Sequence, residues 1–126
     1  MALKYIKGDI VMYKNRIHTI IDTLGLNNYE LSYVRHPVNR AELSGVPLTK
    51  EILEKNGWNK RTKVCCNGEH LEDFSNPSFP LEHFAIAFTK EGIKATYDCL
   101  PVREAKYVSD LQHLLFGLGL NSEMEV

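Results

Sequence analysis

The chain has 126 residues, 44% hydrophobic and 25% charged, with a net charge of −1. That length suits one domain able to bury roughly two-thirds of its unfolded surface. No run of about 18 apolar residues occurs, so a helical membrane span is excluded. The opening MALKYIKGDI lacks the apolar segment of a signal peptide, and three cysteines in no framework spacing suit a reducing compartment. The expectation is a cytoplasmic protein.

Charge is unevenly spread. Residues 1–63 carry 11 Lys and Arg against 6 Asp and Glu, whereas residues 64–126 carry 4 against 10. Two surfaces that attract each other, within the chain or between copies, account for this most simply. A basic N-terminal half that meets phosphate or an acidic partner is the sharper alternative.

In chain order, Lys7-Gly8-Asp9 leads into Ile10-Val11-Met12-Tyr13, which turns at Lys14-Asn15-Arg16; Asn15 tolerates positive φ, so a tight hairpin fits. On the return strand Ile17, Thr19 and Ile21 share one face and His18, Ile20 and Asp22 the other. Residues 24–28 form a loop, and Tyr29, Leu31 and Tyr33 then alternate with Glu30 and Ser32 as a half-buried strand. Three short strands so joined make a meander that begins a small barrel or curled sheet.

The segments Gly8-Asp9-Ile10-Val11-Met12-Tyr13 and Arg16-Ile17-His18-Thr19-Ile20-Ile21 resemble the opening hairpin of SH3-like barrels. Such barrels bind proteins, RNA or DNA, or brace larger assemblies, so the resemblance implies a fold and no particular function.

After His36-Pro37 periodicity is lost until residues 46–58. There Thr49 suits an N-cap, Glu51 and Lys55 suit the two ends of the dipole, and Leu48 can staple Leu53. Gly57 can take the left-handed C′ position and bring Trp58 over Leu53. A strand is expected over residues 60–67. Residues 68–83 contain Pro77 and Pro80 without a period and read as a long loop. Phe84, Ile86 and Phe88 alternate with alanines, Lys90-Glu91-Gly92 turn the chain, and Ile93, Ala95, Tyr97 and Cys99 alternate again, giving a second hairpin.

Residues 105–120 hold the strongest helical pattern. Val108, Leu111, Leu115 and Leu118, flanked by Tyr107 and Leu114, form one apolar stripe that needs a sheet to receive it, and the second hairpin is the expected receiver. Gly119 is placed to end the helix and lay Leu120 on Leu115. His113 lies one turn from Asp110 and is expected to pair with it; Phe116 falls away from the stripe.

Three features taken together resemble a group of small uncharacterised proteins of gut Bacteroidetes and their phages and mobile elements. They are the Gly-Asp-Ile-Val opening, Pro47-Leu48-Thr49-x-Glu51-Ile52-Leu53-x-x-x-Gly57-Trp58, and Lys106-Tyr107-Val108-x-x-Leu111-Gln112-His113-Leu114-Leu115-Phe116. The resemblance implies a bacterial cytoplasmic setting, with no activity, cofactor or site residue to carry over.

Candidate chemistry is sparse. Cys65-Cys66 with His70 offers thiols on opposite faces of a strand, a poor chelate for zinc. Cys99 could meet His113 or His83, but no glycine-rich elbow or helix N-terminus lowers its thiol pKa. Glu69, Glu72, Asp73 and Glu82 surround the long stretch without the fixed spacing of a cation loop. No catalytic residue, metal or cofactor is therefore expected.

The leading expectation is a non-enzymatic binding or interaction module, with His113 and Phe116 facing a protein partner or a second copy. The alternative is a nucleic-acid-binding accessory protein using Lys55, Trp58, Lys60, Arg61 and Lys63, helped by Lys14, Arg16, Arg35 and Arg40. A small enzyme comes third. The fold expected is a single α+β domain. It comprises an SH3-like antiparallel meander or barrel (1–46), a short helix (47–58), a β-hairpin region with a long loop (59–100), and a C-terminal helix and tail (101–126), the helix packed on the sheet.

Overall fold

The computed structural model describes residues 5–64, 70–78, 84–97 and 100–126. It is α+β, with two antiparallel five-stranded sheets, a 3₁₀ turn and two helices, and neither sheet closes into a barrel. The chain separates into two compact units where the sequence suggests one. Unit one is Met1–Pro47 with Tyr107–Met124, and unit two is Leu48–Lys106 with Glu125–Val126.

In unit one the strands are β1 (Ile10–Tyr13), β2 (Arg16–Leu24), β3 (Asn28–Leu31), β4 (Val38–Asn39) and β5 (Leu43–Gly45), in the order β4-β3-β2-β1-β5. Lys14 and Asn15 turn the first hairpin with φ of 48° and 63°, the left-handed pair that matches strand twist. Val11, Tyr13, Ile20, Tyr29, Leu31 and Val38 form the core, with Tyr5, Val34 and Leu43 packed against it. Of the two faces open to β2, the core takes that of Ile20. The register shifts between Ile20 and Asp22, and Ile17 and Ile21 are left exposed.

One expectation fails here. Tyr33 does not continue the alternation of Tyr29 and Leu31. The Val34 N–H donates to Leu31 O at 3.3 Å, closing a turn that holds Tyr33 at φ 61° with its ring in solvent. The stretch after Pro37, which lacks periodicity, holds β4, a 3₁₀ turn over Arg40–Glu42 and β5. That turn is fixed by a capping box: Asn39 Oδ1 accepts from the Ala41 N–H at 2.9 Å, and the Asn39 N–H donates to Glu42 Oε2 at 3.2 Å.

Helix α2 (Val108–Gly117) belongs to unit one. Its start is set by the Tyr107 N–H donating to Asp110 Oδ2 at 2.9 Å and the Val108 N–H donating to Val46 O at 2.8 Å. Its end follows the expected Schellman pattern, with Gly119 at φ 73° and the Leu120 N–H on Leu115 O at 2.9 Å. Val108, Leu111 and Leu115 are buried, whereas Leu118, the C-cap residue, is exposed. Within its own unit the helix packs on β1.

Unit two comprises α1 (Lys50–Lys55), β6 (Asn59–Val64), β7 (His70–Ser75), β8 (Phe84–Thr89), β9 (Gly92–Tyr97) and β10 (Leu100–Glu104), with sheet order β10-β9-β8-β7-β6. Helix α1 is as read. The Ile52 N–H donates to Thr49 Oγ1 at 3.2 Å, Gly57 has φ 87°, and the Trp58 N–H reaches Leu53 O at 3.0 Å.

Strands β7 and β10 correct the reading of a long loop and of a helix-and-tail segment. β7 escapes notice because both of its faces are used. Phe74 packs edge-on to Phe88 on one side, and Asp73 is buried beside Arg61 on the other, so no apolar alternation survives. β10 is exposed throughout and carries Pro101 with a register shift beside it, devices that keep an edge strand from pairing further.

The uneven charge of the sequence is absorbed inside unit two, where cations of the first half pair with carboxylates of the second. Lys50 and Lys60 lie 2.7 and 3.6 Å from Glu72, and Arg61 lies 2.7 Å from Asp73. Counted by unit, the asymmetry vanishes: 6 cations against 6 carboxylates in unit one, 9 against 10 in unit two.

Candidate functional site

The segment that starts β1 and the middle of α2 are held together by side chains with few apolar substitutes. Asp9, 2% exposed, turns back on itself: its N–H donates to Ile6 O at 3.0 Å and its Oδ2 accepts from the Ile6 N–H at 2.9 Å. The same oxygen lies 2.5 Å from His113 Nε2. Next along the helix, the buried Gln112 accepts from the Ile10 N–H at 2.9 Å through Oε1. Its Nε2 donates to Gly8 O at 2.9 Å and Ser122 O at 3.1 Å.

Two adjacent helix residues thus grip the three consecutive residues that lead into β1, and the tail. A buried carboxylate is tolerable only with such partners, so the Asp9–His113 pair works as a clasp. His113 thus pairs with Asp9, a partner the sequence does not suggest, while Asp110 accepts from the Tyr107 N–H at the helix start. Glutamine at 112 is the residue sequence reasoning passed over. The signal was a polar side chain four residues after Val108 and three before Leu115, in line with the buried stripe.

Phe116 is different. It is 65% exposed, and Leu118 beyond it is exposed as well. The helix therefore ends in an apolar surface whose neighbour one turn back, His113, is held inward. Of the two residues the sequence places on this face, only Phe116 is presented to solvent as a large apolar group.

A second set of aromatic groups lies in unit one. Tyr5 meets Tyr29 edge-on at 5.8 Å, and its N–H donates to Tyr29 Oη at 3.3 Å. Burial pushes the Tyr5 phenol above its ordinary value, against the pull of the Arg40 charge.

Of the residues raised for nucleic acid, Lys55, Trp58, Lys60, Arg61 and Lys63 are in unit two, whereas Lys14, Arg16, Arg35 and Arg40 are in unit one. Lys55 Nζ donates to the Val126 carbonyl at 3.0 Å, Lys60 and Arg61 face Glu72 and Asp73, and the side chain of Lys63 lies outside the described residues. Trp58 is 3% exposed, its ring tilted against Phe84 at 6.3 Å, so it has no open face on which a base could stack. Arg61 Nη2 is buried without a hydrogen-bond partner, its guanidinium committed through Nε to Asp73.

Among the described residues no group of His, Cys, Asp and Glu is arranged to hold a metal ion. Cys65, Cys66, Glu69, Glu82, His83 and Cys99 lie outside the described residues, as does the side chain of His70. No described helix is long and apolar enough to cross a membrane. Comparison with family models, with curated proteins and with solved structures returns no match.

Proposed function

We propose that this protein is a non-enzymatic interaction module of the bacterial cytoplasm, carried by a phage or mobile element, and that it docks a protein partner or a second copy through the end of α2. The observation that carries the reading is the exposure of Phe116 on a helix whose other large groups are engaged: Val108, Leu111 and Leu115 in the core, Gln112 and His113 on β1. A large exposed aromatic beside a second apolar side chain is the usual anchor of a protein contact.

An SH3-like scaffold for unit one is part of the same proposal. Its support is the strand order β4-β3-β2-β1-β5, with a 3₁₀ turn between β4 and β5 and a Gly-Asp pair leading β1. The mobile-element setting rests on the three sequence segments that carry the resemblance.

The test compares wild type with Phe116→Asp. Light scattering on the isolated protein reads self-association, and capture from the native host followed by mass spectrometry reads a partner. Loss of the dimer or of the captured protein in the variant is expected. Retention of both at wild-type level removes α2 as the docking element.

A further inference from the structure

Ser32 ties two surface segments of unit one together. Its carbonyl accepts from His18 Nδ1 at 2.7 Å, and its hydroxyl accepts from the Thr19 N–H at 3.0 Å. Just before His18 lies the hairpin tip with Lys14, Asn15 and Arg16, and just after Ser32 come Tyr33, Arg35 and His36, all of them exposed. Neither residues 10–21 nor residues 31–41 contain an Asp or Glu.

The cations here differ from Lys50, Lys60 and Arg61 of unit two, which are paired with carboxylates. Arg16 and Arg35 make no ion pair among the described residues, and Lys14 Nζ lies over the Tyr13 ring at 5.3 Å, which leaves its charge without a carboxylate. Tyr33, which follows Ser32 and precedes Arg35 by two residues, is fully exposed and at φ 61°. That backbone region disfavours any residue with a Cβ, and a ring in solvent makes no contact that offsets it. The turn closed by the Val34 N–H on Leu31 O accounts for the backbone, but nothing in the fold uses the ring, which points to a use outside it.

We infer that the Lys14–Arg16 tip and the Tyr33–Arg35 turn form a contact surface for single-stranded nucleic acid, Tyr33 stacking a base while Lys14, Arg16 and Arg35 meet flanking phosphates. An open aromatic face selects unstacked bases over a duplex, whose bases are already stacked. It also disfavours an acidic peptide, because a carboxylate gains nothing from the negative face of a ring. This surface shares no residue with the α2 docking site, so either proposal can fail alone.

The experiment uses the full chain and fluorescence anisotropy with labelled oligo-dT and oligo-rU of about 15 nucleotides, a duplex of equal length and polyglutamate, at about 50 and 200 mM salt. Both single strands should bind more tightly than the duplex or polyglutamate, and binding should weaken with salt. Arg16→Gln and Arg35→Gln should each lower the log–log salt slope by roughly 0.7. Tyr33→Gly should weaken binding roughly 5- to 100-fold, while glycine suits the backbone at that position and leaves the urea midpoint equal or higher. Lys60→Gln, in unit two, should bind as wild type.

Failure of both single strands to bind at the lower salt overturns the inference. So does Tyr33→Gly binding within about twofold of wild type, equal or tighter binding of duplex or polyglutamate, or a loss in Lys60→Gln as large as that in Arg16→Gln.

Discussion

At Gly45 the absence of a side chain is what lets Tyr107 come in: a Cβ there would lie 2.5 Å from the Tyr107 ring carbons Cγ and Cδ1. Those atoms sit at the base of the ring, not at a flexible tip, so the ring or the β5 backbone must move. Gly45→Ala should cost about 1–3 kcal/mol, read as a lower urea midpoint with unchanged slope. The clasp allows a sharper test. Asp9 loses its imidazole partner in His113→Ala and is left buried with the Ile6 N–H alone, which should cost about 3–5 kcal/mol. Asp9→Asn keeps a hydrogen-bonding group and removes the charge, and should cost less. A His113→Ala protein within about 0.5 kcal/mol of wild type would show that the pair is incidental. Neither partner could be matched from sequence, because a separation of 104 positions makes the contact purely tertiary.

Helix α1 is short, and its ends stabilise it as much as its length does. Thr49→Ala removes the acceptor for the Ile52 N–H and should cost about 1 kcal/mol. Gly57→Ala places a Cβ at φ 87° and should cost about as much. Thermal unfolding of the two single variants and the double should show near-additive losses, since they act on opposite ends.

This element was fully legible because its cap residues act locally. The 3₁₀ turn was legible in principle by the same logic, its Asn39-x-x-Glu42 being a capping box, but no apolar period follows to draw attention to it. β7 was not legible. Its buried Asp73 is stabilised by Arg61 on the neighbouring strand, a pairing that exists only once β6 and β7 align with Arg61 opposite Asp73. The α2 stripe was read correctly except at Leu118, where the helix has already ended and the side chain no longer points with the others.

On the scale of the whole molecule, unit one is completed by residues from both ends of the chain, with unit two inserted between them. Removing residues 107–126 should therefore unfold unit one, stripping Ile10 and Val46 of their α2 partners, and near-UV circular dichroism should report loss of the tyrosine signal. Acid should act through unit two. The hydrogen bond from Lys50, reinforced by the Lys50 and Lys60 charges, holds Glu72 below its ordinary value of 4.5. The folded state then takes up that proton less readily than the unfolded chain. Its contribution is present in full above the ordinary value and is lost as pH falls through the lower, folded value. All three side chains are substantially exposed, so the effect should be modest and largely erased by about 0.5 M salt. Urea midpoints measured from neutral pH down to about pH 3 should fall less steeply in Lys50→Met than in wild type. Tyr5 acts at the other extreme: its raised phenol value contributes below 10.0, and that contribution is lost as pH rises through the folded value.

What the amino-acid order determined alone was local: both helices with their glycine-ended C-termini, the Lys14-Asn15 turn, the second hairpin and the alternation of Tyr29 with Leu31. Each depends on dihedral preferences or periodicities within a few residues. Only the tertiary structure decided which face of β2 is buried, that Tyr33 leaves the apolar face, that the Gly-Asp opening and the Gln112-His113 pair meet, and that α2 belongs with the first sheet. Those outcomes come from hydrogen bonds and ion pairs between residues far apart in the chain, whose side chains carry no mark of their partner until the backbone brings them together.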